Sequence, residues 1–211
     1  MKPKKIYVIR HGQTEYNRKG VVQGRGINAE LNELGRKQAR AFYEKYKKVD
    51  FKKVYTSSLK RSIQSVQGFL EDDIPHEKMP GLDEISWGDS EGKPFDDYLN
   101  NKYVEIVQAW RDGDIHRRMT GGESPLDVQK RQEEAMEYIL TQDHEDPVLI
   151  CMHGRAMRIL LSWLTNTHLK EMDNFEHNNL GLYRLHYHKG DIQIESRNDV
   201  EHLNGLIHEI Q

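Results

Sequence analysis

Apolar residues cluster along this chain in two alternating ways. Short continuous runs, rich in β-branched and aromatic side chains, fill residues 6–9, 54–56 and 147–152. Runs of this length and composition predict strands buried on both faces. Between them, apolar residues recur every three or four positions among Lys, Arg and Glu, the spacing of an amphipathic helix. Leu34, Ala39, Phe42, Tyr43 and Tyr46 predict one such helix, with Asn32 as its cap. Ile63, Val66, Phe69 and Leu70 predict a second, and residues 95–112 a third that ends at Gly113. A fourth opens at Pro125 and carries Val128, Ala135, Met136, Ile139 and Leu140 on one face, and a strongly apolar fifth covers Met157 to Leu164. Residues 180–188 and 191–196 read as an antiparallel hairpin turning at Lys189-Gly190. Strands alternating with helices predict an α/β fold, a three-layer α/β/α sandwich whose sheet is mostly parallel with an antiparallel edge.

Two of the buried strands end alike. The first runs into Arg10-His11-Gly12 and the strongest into His153-Gly154-Arg155, each followed by helix or turn. The carboxyl ends of strands in an open α/β sheet are where such folds bind ligands. A lone Arg-His pair would be read as an ordinary surface cap. Two histidines at the ends of two buried strands are less easily dismissed. Gly12 lets the backbone turn sharply or approach a ligand, and Thr14 and Asn17 add neutral hydrogen-bonding groups.

Composition narrows the partners. The chain has 211 residues, 36% hydrophobic and 31% charged, with a formal net charge of −3. That balance gives no electrostatic case for nucleic acid or an acidic membrane surface. The single cysteine, Cys151, excludes an intrachain disulfide and fits a reducing compartment. The amino-terminal apolar run is too short for a signal peptide core, no stretch approaches a membrane span, and the expected location is the cytoplasm.

The stretch Arg10-His11-Gly12-Gln13-Thr14-Glu15-Tyr16-Asn17 resembles the Arg-His-Gly-x-Thr-x-x-Asn signature of the histidine phosphatase superfamily, which includes the cofactor-dependent phosphoglycerate mutases. Three further segments resemble that family in the right order: Ser57-Ser58-Leu59-Lys60-Arg61, Leu82-Asp83-Glu84 running to Glu91-Gly92, and His153-Gly154. The Gly-Glu-Ser at residues 122–124 matches a fifth element, read as structural. The resemblance implies one domain over residues 1–211, with a variable insertion at about 93–122 that covers the active site. It implies His11 as nucleophile and Glu84 as proton donor. Arg10, Asn17, Arg61 and His153 would bind the phosphoryl group, and Gln23, Gly24 and Gly154 would form the substrate loop. In the insertion, Arg117, Arg118, Met119 and Trp110 are weaker candidates for substrate contact, since such residues more often form a solvated rim.

The expected activity is hydrolysis of a small phosphorylated metabolite through a phosphohistidine, with no cofactor and no metal. As proton donor, Glu84 would need a pKa raised by burial or by the substrate's charge. Asp83 is its neighbour, and in an extended segment only one of the two faces the site. A mutase of the phosphoglycerate type is the main alternative, and a non-catalytic phospho-ligand module a lesser one. A cysteine-nucleophile phosphatase needs Cys-x5-Arg, and the residue six beyond Cys151 is Met157. His186 and His188 share one face of the hairpin, too few for a metal site. The tail after Val200 reads as a surface extension. A homodimer is compatible with the chain.

Overall fold

The computed structural model describes residues 2–94 and 96–206. Side chains that alternate along each strand decide how its layers stack. In β1 (Lys4–Arg10), Ile6 and Val8 point to one face and Ile9 to the other. In β4 (Val148–Met152), Val148, Ile150 and Met152 join the first face, Leu149 and Cys151 the second. All five β4 residues are buried, which is why the sequence there is a continuous apolar run. The first face packs against α5 (Asp97–Arg111), α6 (Pro125–Thr141) and α7 (Gly154–Leu164). The second packs against α2 (Glu33–Tyr46) and α4 (Gln67–Glu71), chiefly through Phe42 and Phe69. Two apolar layers flank one sheet, and the α/β sandwich is the result.

The sheet has six strands in the order β3-β2-β4-β1-β5-β6. β3 (His76–Lys78), β2 (Lys53–Thr56), β4 and β1 run parallel. β5 (Leu182–His188) and β6 (Asp191–Asp199) add the antiparallel edge. Their hairpin turns through Lys189 and Gly190, both with positive φ (52° and 93°), as a two-residue turn requires. The parallel order brings the carboxyl ends of β1, β2 and β4 to one edge.

The sequence reading needs correction in several places. The buried face of α2 runs through Gly35, Gln38 and Phe42, while Leu34, Ala39, Tyr43 and Tyr46 are only half-buried. The helix expected over Ile63 to Leu70 is two pieces, α3 (Lys60–Ser65) and α4, because Val66 leaves helical geometry at φ −116°. Strand β3 was not anticipated. Its His-Glu-Lys sequence has no apolar pattern, and pairing with β2 alone makes it a strand. In α5, Asp96 caps the helix by accepting from the Leu99 amide (2.7 Å), and Phe95, expected to begin it, lies outside the described residues. The tail is not a surface extension: residues Glu201–Leu206 form a 3-10 helix that buries Leu203 and sets His202 against Phe42 and Tyr46. Residues 207–211 lie outside the described residues. Among the described residues, no helix is long and apolar enough to cross a membrane.

Candidate active site

The carboxyl end of β1 delivers Arg10 and His11. The His11 amide continues the parallel ladder by donating to the Met152 carbonyl (2.9 Å), so its position follows from the sheet. Beyond it the chain is held by side chains from the α2 and α3 layer. Ser65 Oγ accepts from the Gly12 amide (2.8 Å) and Gln38 Oε1 from the Gln13 amide (2.9 Å). The backbones themselves touch here. A Cβ at Gly12 would lie 2.6 Å from the Gly35 carbonyl oxygen, and one at Gly35 only 2.1 Å from the Gln13 oxygen. The helix α1 (Glu15–Arg18) then starts with a capping box in which Thr14 and Asn17 satisfy each other's backbone and side chain.

His11 is 2% exposed. Its Nδ1 lies 2.7 Å from the Gly12 carbonyl, and a carbonyl only accepts, so Nδ1 carries the proton and Nε2 the lone pair. Burial, reinforced by the Arg61 and Arg10 charges, holds its pKa well below the usual histidine range. The ring is therefore neutral at pH 7. Arg10 donates to His177 Nδ1 (3.2 Å), and its Nε is buried with no partner among the described residues. Burial brings the Arg10 pKa down to about 10, so it stays cationic. An orphaned, charged N–H donor in a buried site is costly unless an anion completes it. Burial and the neighbouring arginines push His177 down to about 3.

Glu84 comes from the irregular segment after β3. It is 7% exposed and its carboxylate sits on the N-terminus of α7. Oε1 accepts from the amides of Ala156 (2.8 Å) and Ile85 (2.9 Å), and Oε2 from Arg155 (3.2 Å). Asp83 turns the other way, to the Ser58 amide and hydroxyl and to Arg25. Glu84 alone of the two faces the cavity, as the extended-segment argument requires.

That cavity, about 290 Å³, is lined by Arg10, His11, Asn17, Gln23, Glu84 and Gly154 among the expected residues. Asn17 spends its Oδ1 on the α1 cap (3.1 Å to Thr14), and Gln23 Oε1 accepts from the Thr14 hydroxyl (2.9 Å). Gly154 packs against His177 there, and a Cβ on it would lie 2.8 Å from that ring. Gly24, Arg61 and His153 are absent from the lining. Arg61 is fully buried and spends its fork inside the protein: Nε on His153 Nδ1 (3.1 Å), Nη1 on the Ile27 carbonyl (2.5 Å) and Nη2 on the Gly24 carbonyl (3.2 Å). His153 accepts from Arg61 at Nδ1, so its Nε2 donates to Ser57 Oγ (2.7 Å). Its ring lies 5.0 Å from that of His11.

Sequence reasoning missed other lining residues, among them Trp87, Tyr103, Arg155, Arg158 and His177. Arg155 and Arg158 follow His153-Gly154 at helical spacing, a legible signal; His177 lies in a loop with none. Asp173 accepts from Arg155 (2.6 Å) and Arg158 (2.7 Å) and pairs with Arg111 (2.9 Å), so three cations share one carboxylate. Burial opposes the charge on Arg155, but Tyr103 and Asp173 overcome it and raise its pKa. The insertion candidates do not reach the cavity. Arg117 pairs with Glu105 and Arg118 with Asp127 at the surface, while Met119 and Trp110 are core. From residues 93–122 it is Tyr103 that lines the cavity. Among the described residues no group of three or more His, Cys, Asp or Glu side chains is placed to hold a metal ion.

Comparison with known proteins gives the family. The model of the histidine phosphatase superfamily (branch 1) matches residues 6–200. A Hydrogenobacter thermophilus protein provisionally named phosphoserine phosphatase 2 is 28% identical over 188 residues, covering 87% of this chain and 89% of its own. Human 6-phosphofructo-2-kinase/fructose-2,6-bisphosphatase 4 is 32% identical over 164 residues, 76% of this chain but only 33% of that longer protein. Among solved structures, Bacillus stearothermophilus YhfR superposes with a TM-score of 0.86 at 25% identity, covering 95% of this chain and all of that one. The chain belongs to the histidine phosphatase superfamily, and it is a phosphatase of the histidine-nucleophile kind.

Proposed function

We propose that the enzyme hydrolyses a small phosphate monoester in two steps, with a phosphohistidine on Nε2 of His11 between them. The observation that carries this reading is the locked tautomer of His11. The Gly12 carbonyl accepts from Nδ1–H, burial keeps the ring neutral, and Nε2 is left as a nucleophile in a cavity that Arg10, with its unsatisfied Nε–H, also lines. In the first step the N–P bond forms as the ester P–O bond breaks, and Glu84 passes a proton to the leaving oxygen. In the second, water attacks phosphorus, the N–P bond breaks, and Glu84 takes the proton of water. Arg10 and Asn17 hold the phosphoryl oxygens as charge spreads over them. Arg61 and His153 lie outside the cavity lining and reach those oxygens only if they release Ile27, Gly24 and Ser57.

The arginines narrow the substrate. Arg10, Arg155 and Arg158 line a cavity whose one lining carboxylate is Glu84, with Asp173 neutralising part of the excess. That balance favours an ester carrying a second acidic group. Transfer to water is preferred over isomerisation because one relative is named a phosphatase and the other a combined kinase and bisphosphatase, and neither a mutase.

The test is steady-state hydrolysis of 4-nitrophenyl phosphate in EDTA, followed by a panel of esters with and without a second acid. Activity in EDTA, an acid-labile and base-stable phosphoenzyme, and lower KM for the diacids are the expected results. An enzyme with no turnover of any ester would overturn the reading.

A further inference from the structure

One arginine outside the cavity spends all of its hydrogen-bonding capacity near the proton donor. Arg131, on α6, has five N–H donors, and each has a partner. Nη1 donates to the carbonyls of Gly81 (2.8 Å) and Asp83 (2.9 Å), and Nη2 to the carbonyl of Glu84 (3.0 Å). The remaining two donors form a bidentate pair with Glu123, Nε to Oε1 (3.0 Å) and Nη2 to Oε2 (3.1 Å). Glu123 in turn grips the far side of the same segment. Its Oε2 accepts from the Ser86 amide (2.9 Å), and its own amide donates to the Ser86 carbonyl (2.8 Å).

The backbone around Glu84 is irregular and has no strand partner, so its carbonyls need donors from elsewhere. Arg131 supplies them from a rigid planar fork on a long helix. The approach is close: a Cβ on Gly81 would lie 2.6 Å from the Arg131 carbonyl oxygen, so only glycine lets the segment lie this low on α6. The carboxylate of Glu84 reaches α7 from a backbone fixed on both sides by the Arg131–Glu123 pair. A shift of the fork displaces that carboxylate relative to the leaving oxygen.

We propose that Arg131 is a positioning residue for proton donation by Glu84, an inference that rests on the phosphatase reading above. A residue of that kind matters in proportion to how much the leaving group needs a proton. An alkoxide needs one; dinitrophenolate does not. General acid catalysis contributes about 10²–10⁴-fold where it is needed.

The experiment measures kcat/KM for Arg131→Gln and Arg131→Lys on two substrates, glycerol phosphate and 2,4-dinitrophenyl phosphate. This constant reports the steps up to leaving-group departure, so the common hydrolysis of the phosphoenzyme does not mask the effect. The readout is the ratio of the two constants on one sample, from which any unfolded fraction cancels. Arg131→Gln is expected to lose about 10²-fold on the alkyl ester and under about threefold on the dinitrophenyl ester. Arg131→Lys keeps the charge but not the fork and is expected to fall between that variant and the wild type. Equal losses on both esters, or no loss on either, would overturn the positioning role while leaving the phosphatase reading intact. A wild-type enzyme that turns over no phosphate ester would overturn both.

Discussion

The two strand-histidine-glycine units look interchangeable in the sequence and are not so in the molecule. His11 ends β1 and is followed by a loop and the four-residue α1; His153 ends β4 and caps the eleven-residue α7. Both rings are buried, 5.0 Å apart, and both are held neutral by burial and nearby arginines. They differ in where their nitrogens go. The backbone takes one nitrogen of His11 and leaves the other. Arg61 and Ser57 take both nitrogens of His153. The lesson is that the second hydrogen bond separates the two histidines: one fixed nitrogen leaves the other open for the proposed attack, and two fixed nitrogens make a brace.

That contrast can be broken experimentally. The largest effect is expected from His11→Ala, a loss of turnover of at least about 10⁴-fold, because the proposed intermediate forms on its Nε2. Wild-type rates in that variant would end the assignment of His11. His153→Ala is expected to cost less, about 10²-fold, and to leave a phosphoenzyme that can still be trapped. If His153→Ala abolishes the trapped intermediate while His11→Ala retains it, the roles are reversed.

Acid stability sharpens the comparison, because here the two histidines should behave alike. A buried histidine whose folded pKa is depressed resists a proton that the unfolded chain accepts below about 6.5. Its contribution is fully present above that value and is lost as pH falls toward the folded pKa. The same holds for His177, about 3 in the folded state, and for His202, about 4. Each such group is expected to lower stability as pH falls from 8 to 5, by about 2 kcal/mol for His177. Urea melts of His11→Ala and His153→Ala at the two pH values should show equal relief of acid sensitivity, despite their unequal rates. The smallest effect is expected from Ser57→Ala. It removes one partner of the His153 brace and should cost about 1 kcal/mol of stability, read from the same melts, and less than about tenfold in rate.

The sequence made the central strands legible because burial on both faces leaves a continuous apolar run, as in Val148–Met152. The hairpin was legible because Lys189-Gly190 can take positive φ. His76–Lys78 was not, since an edge strand of three polar residues exists only through its neighbour. Within the site, residue types at a strand end pointed to Arg10 and His11, and the family resemblance to Glu84, all of which line the cavity. They also brought Arg61 and His153 close to it, but pattern cannot say which nitrogen faces which acceptor. Arg117 and Arg118 find carboxylates at the surface, the solvated rim that such residues more often form, while Arg155 and Arg158 on α7, which the pattern did not single out, line the cavity.

The contact between Gly12 and Gly35 limits how this protein can change. A substitution at either glycine collides with a carbonyl oxygen, and a carbonyl belongs to every residue type. A side-chain clash can be relieved by trimming the neighbour, so a second mutation can rescue the first. Here there is nothing to trim. A selection for suppressors of Gly35→Ala should return true revertants and few second-site changes, which makes this pair a fixed point around which the rest of the sequence can drift.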